Sequence, residues 1–72
     1  MNDRFYIIEE IRRKSKRSWK NIYQAARKEI GADYEFGTGK VEASSTSILR
    51  KMVNESGMSV VEIMNEIEKR IN

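Results

Sequence analysis

The chain has no cysteine, no histidine and no proline, and its 72 residues include 4 glycines and 1 tryptophan. Without His or Cys, the side chains that most often serve as general base, nucleophile or metal ligand are missing. The Ser and Thr hydroxyls have no imidazole to activate them. The protein is therefore expected not to be an enzyme and to hold no metal or cofactor. The acid pairs Glu9–Glu10 and Glu62–Glu66 read as solvated helix surface rather than as paired catalytic carboxylates. No disulfide can support the fold, so a chain this short, which buries only about 60% of its unfolded surface, depends on helix packing or on a partner subunit.

Long apolar runs are also missing. The stretch Phe5–Ile8 is too short for the apolar region of a signal peptide, and Asp3 precedes it. Nothing approaches the roughly 20 apolar residues of a membrane span. A soluble, cytoplasmic protein with no membrane partner is expected. Glycine is scarce but clustered at Gly37-Thr38-Gly39-Lys40. This is not a phosphate loop, because such a loop separates its glycines by four residues and follows its lysine with Ser or Thr, whereas Val41 follows Lys40.

What the chain does have is charge, with 35% charged residues and a formal net charge of +3, unevenly placed. From Arg12 to Lys28 there are only bases among the charged residues, bounded by Glu10 and Glu29. A block of this kind forgoes the i, i+4 ion pairs that a merely solvated helix would form, and it has the composition of a polyanion-binding surface.

Apolar spacing predicts four helices in one all-α domain spanning residues 1–72, with no internal repeat evident. Asp3 is the expected N-cap of the first helix, with Ile7, Ile8 and Ile11 on its buried stripe and Phe5 extending it. The next residues, Arg12 to Ser18, have no apolar side chain to bury and read either as a solvated last turn or as a linker. Ser18 caps a second helix with Trp19, Ile22, Tyr23, Ala26 and Ile30 inside, Lys20, Gln24, Arg27 and Lys28 outside, and Gly31 as its stop. Trp19 and Tyr23 thus belong to the core rather than to a base-stacking platform. Residues 34–42 read as a short β-hairpin or as an irregular glycine loop.

Ser44–Ser47 start a third helix with Ile48, Leu49, Met52 and Val53 inside, and Gly57 ends it. A capping box of Ser59 and Glu62 opens the fourth, which buries Val60, Ile63, Met64, Ile67 and Ile71. Glu66 and Arg70 are spaced to pair on its exposed side. That acidic helix suits core closure or a homodimer interface.

Three placements of a DNA-binding motif fit parts of this pattern. Leu49–Lys69 resembles a helix-turn-helix motif at Gly57 and Met58, but it departs from it at Val53, Ser56 and Glu66, and its second helix is acidic. Residues 41–72 resemble the ribbon-helix-helix repressors, which implies a strand over Val41–Thr46 and a turn at Gly57-Met58-Ser59. A third placement makes helix 2 the support and helix 3 the reader, so that the basic half of the chain becomes the binding half.

The expected function is a small regulatory or accessory protein that binds nucleic acid, duplex DNA being favoured over RNA. Phosphate contacts are expected from Arg12, Arg13, Lys14, Lys16, Arg17, Lys20, Arg27 and Lys28. Lys40, Ser45, Thr46, Arg50 and Lys51 are the secondary candidates. The alternative is an inhibitor or adaptor whose basic face meets an acidic protein.

Overall fold

The computed structural model describes residues 4–31 and 44–71, and among them are four α-helices and no strand. They are α1 (Phe5–Ser15), α2 (Trp19–Glu29), α3 (Ser45–Ser56) and α4 (Val60–Ile71). The hairpin expected over residues 34–42 lies outside the described residues. The strand expected from Val41 to Thr46 is excluded at its end, since Ser45 and Thr46 are already helical.

Arg12 to Ser15 prove to be the last turn of α1, which settles the ambiguity left by their lack of apolar side chains. The Ser15 hydroxyl donates back to the carbonyls of Ile11 at 2.8 Å and Arg12 at 3.1 Å, covering acceptors that the helix end leaves open. Lys16 then turns the chain with φ 60°, in the left-handed region usually left to glycine. Ser18 restarts the helix by accepting from Asn21 N–H at 3.1 Å. The N-cap position of α1 falls on Arg4, one residue later than the expected Asp3, and no side chain caps it.

The second half repeats these devices, contrary to the expectation of no internal repeat. Ser56, 41 residues beyond Ser15, donates to the carbonyl of Met52 at 2.6 Å, and Gly57 turns the chain with φ 74°. Ser59 accepts from Glu62 N–H at 3.1 Å, while Glu62 accepts from Ser59 N–H at 3.0 Å, completing the capping box. The same offset pairs Ile8 with Leu49, Ile11 with Met52 and Ile22 with Ile63, all buried. The two halves share one corner design, a helix ended by a back-bonded serine, a left-handed turn and a serine-capped second helix. The resemblance is hard to see in sequence because Lys16 stands where the second copy has Gly57, and Ala26 stands where it has Ile67.

The corners interlock rather than close on themselves. α2 packs chiefly on α4 and α3, α1 packs on α3, and consecutive helices splay apart at their three-residue links. Arg4 Nη1 donates to Gly57 O at 3.3 Å, and Arg17 hydrogen-bonds Ser44. The start of α1 thus meets the end of α3, and the end of α1 meets its start, so the two run antiparallel. Ile8, Ile22, Leu49, Met52, Ile63 and Ile67 are fully buried between the corners. By area alone each contributes about 1.5–3 kcal/mol.

Because α2 is gripped by two helices, its buried arc is wider than the expected stripe, but it ends sooner: Ile30, expected inside, is 47% exposed at the C-cap position, past the last helical turn. Every residue from Asn21 to Ala26 is buried, including Gln24, which helical spacing placed on the outer face. The α4 stripe of Ile63, Met64 and Ile67 is spent inside the monomer, leaving Val61 as its exposed large apolar residue.

Candidate nucleic-acid interface

The expected cationic residues divide into three groups in space. Arginines build the first group into the fold. Arg12 is half-buried, with its guanidinium carbon 4.7 Å from the Trp19 ring centroid and its Nη1 donating to Arg17 O at 3.0 Å. Trp19 in turn stacks on Phe5 at 5.4 Å and an interplanar angle of 25°. Phe5 and Arg12 are about 10.5 Å apart along α1, an interval that the indole fills. Arg70 covers Phe5 at 4.0 Å, extending the stack to α4.

Arg17 reaches from the corner to the amino end of α3 and donates to Ser44 Oγ. Arg27 lies 5.7 Å from the Tyr23 ring centroid and donates to the Tyr23 hydroxyl at 3.3 Å. A planar guanidinium can stack and donate at once, which is why arginine rather than lysine fills these places.

A second group is neutralised by acids. Lys14 pairs with Glu10 at 3.1 Å, Arg50 with Glu29 at 3.1 Å and Lys51 with Glu55 at 3.9 Å. Pairing also occupies cations outside the expected set: Arg4 with Glu62, Lys69 with Glu66, and Arg70 with Glu9 and Glu66. Exposed pairs of this kind stabilise little, about 0–1 kcal/mol, but they cancel local charge.

The third group is Arg13, Lys16, Lys20 and Lys28, all exposed and all without an ion pair or hydrogen bond from the side chain to the described residues. Arg13, Lys16 and Lys20 share the α1–α2 corner, where Lys16 N–H donates to Arg13 O at 3.3 Å. Lys28 lies about 12 Å further along α2.

The hydroxyls expected at the start of α3 are used differently. Ser45 is fully buried and donates to the Asn21 carboxamide oxygen, so it is removed from the phosphate-binding set. The reason is its position one residue inside the helix, on the side that faces α2. Ser44 holds Arg17 and makes no capping bond, and Thr46 is half-buried. Lys40 lies outside the described residues.

Sequence periodicity missed the polar contact of Ser45 with Asn21 because it scores only apolar positions. The adjacent runs Asn21-Ile22-Tyr23-Gln24 and Ser44-Ser45 held the polar groups that meet there.

The carboxylates behave as helix-surface groups. Glu62 is held below its usual 4.5 mainly by the backbone N–H of Ser59, with the Ser59 hydroxyl and Arg4 adding to it. Glu66 is lowered chiefly by its hydrogen bond to Lys69. No helix among the described residues is long and apolar enough to cross a membrane. Comparison with protein-family models, with curated proteins and with solved structures finds no match to this chain.

Proposed function

We propose that the α1–α2 corner is a nucleic-acid-binding surface, with duplex DNA as the favoured partner, and that the protein acts as a small regulatory or accessory DNA-binding factor. The observation that carries this reading is the segregation of charge. Among the described residues, every exposed Lys or Arg outside Arg13, Lys16, Lys20 and Lys28 has a glutamate partner. Three of those four exceptions fall at the α1–α2 corner, within residues 13–20. Like charges held together repel, and a polyanion that meets all of them relieves the repulsion and releases its own condensed counterions.

Arg12, Arg17 and Arg27 support the surface rather than form it. They fix the corner against Trp19, against Ser44 and along α2, so that the exposed cations keep their spacing.

Fluorescence anisotropy with a short labelled duplex tests the proposal. Three or four phosphate contacts give an apparent association constant that falls with log salt at a slope of about −3 to −4. Replacing Lys16 and Lys20 together by Gln should lower that slope by about 2. Absence of binding at low salt would refute the proposal. Capture of an acidic protein that survives nuclease treatment would transfer the same surface to the rival interaction-module reading.

A further inference from the structure

Resting on the reading of the α1–α2 corner as a nucleic-acid surface, we infer that it grips the phosphate backbone of a duplex and reads no bases. Directional base recognition draws on amide, carboxylate or guanidinium groups free to meet base edges, or on aromatic faces free to stack; a lysine can also meet guanine, but without the planar fork that fixes the pairing. On α2 the amides are Asn21 and Gln24, and the fold buries both to 9% and 4% exposure. Asn21 accepts from Ser45 in the contact between α2 and α3.

Beside the corner the aromatic faces are occupied as well, while Tyr6, 65% exposed, lies near the far end of α1, about 10.5 Å from Arg13 along the helix. Trp19 lies between Phe5 and Arg12, and Tyr23 is 3% exposed with Arg27 on its hydroxyl. The exposed amides Asn54 and Asn65 belong to α3 and α4, and Asn54 borders a cleft with Glu29, away from the cationic corner.

What remains at the corner is Arg13, Lys16 and Lys20. Lysine is a flexible point charge that follows phosphate without orientational demands, so Arg13 alone offers a planar fork able to select guanine. The backbone of these three is held in helix or in the left-handed turn, which suits a regular duplex better than a single strand that must wrap.

The test is equilibrium competition at one low salt concentration with the intact protein. The probes are equal-length duplexes of mixed, all A·T and all G·C sequence and a single strand of the same length. The duplexes should bind within about threefold of one another, where a surface that reads bases loses about fivefold or more for each mismatched pair. The single strand should bind more weakly, with a shallower salt slope of about −0.7 rather than −0.9 per phosphate. Arg13→Lys, which keeps the charge and removes the fork, should shift the affinities of the three duplexes by one common factor and leave their ratios unchanged.

A preference above tenfold among duplexes, or a loss on Arg13→Lys confined to G·C sequence, would overturn the inference while leaving the nucleic-acid reading intact. Tighter binding of the single strand with quenching of Trp19 fluorescence would do the same. Failure of every probe to bind would sink both.

Discussion

On the proposed reading Lys16 joins a left-handed turn and a phosphate contact in one residue, and Lys16→Gly should move stability and binding in opposite directions. Its φ of 60° places a β-carbon where left-handed backbone is unfavourable, at a cost of about 1–2 kcal/mol. Glycine removes that cost but gives back about 0.5–1 kcal/mol through the greater freedom of the unfolded chain. At the middle of both ranges the net gain is about 0.75 kcal/mol. In a domain of this size about 1 kcal/mol corresponds to about 4–8 °C, so the thermal midpoint should rise by about 3–6 °C in far-ultraviolet circular dichroism. The same variant loses one exposed cation, and its salt slope for duplex DNA should shrink by about 1.

Lys16→Gln separates the two effects, because it removes the charge and keeps the β-carbon. It should weaken DNA binding as Lys16→Gly does and leave the midpoint nearly unchanged. The second corner provides the mirror experiment. Gly57 already occupies the equivalent turn at φ 74°, and Gly57→Ala, whose β-carbon would lie 3.2 Å from Arg4 Nη1, should lose about 1 kcal/mol. A midpoint that stays flat or falls for Lys16→Gly would refute the strain argument. Unchanged DNA affinity in both Lys16 variants would refute its role as a phosphate contact.

Other residues give independent tests. Ile22→Ala empties a fully buried site between the corners and should cost about 2–5 kcal/mol in urea titrations, a large share of the stability of so small a domain. Ser45→Ala removes a buried hydrogen bond to Asn21 and should cost about 1 kcal/mol while leaving DNA affinity unchanged, whereas a loss of affinity at unchanged stability would restore Ser45 to the interface. The lowered pKa of Glu62 means that its capping contribution is present above its unfolded value near 4.5 and is lost as pH falls through the lower folded value. Glu62→Gln should therefore be less stable than the parent at neutral pH and should lose less on acidification. Parallel stability curves for the two proteins would contradict this.

Much of the fold could be read from local pattern. The four helices, Ser18 and Ser59 as caps and Gly57 as a stop follow from apolar spacing and from the few side chains able to satisfy helix ends. The basic block was equally visible, and so was the assignment of Trp19 and Tyr23 to packing.

The division of that block was not visible, because it depends on which side chains neighbouring helices bring within reach. Arg12 belongs to the scaffold because α2 places Trp19 against it, and Arg50 is neutralised because the end of α2 brings Glu29 to it. Ser45 is internal because α3 turns it toward Asn21, and Gln24 is internal because α2 is packed on two sides. The shared corner design was hidden for a related reason. Its repeated features are backbone turns and back-bonded serines, which different side chains build at Lys16 and Gly57.

Composition and periodicity thus determined a helical domain with a basic amino-terminal half, since helix formation and charge are local properties. Tertiary packing alone decided that, among the described residues, the exposed cations without an ion pair narrow to Arg13, Lys16, Lys20 and Lys28, because ion pairing and burial are relations between segments distant in the chain.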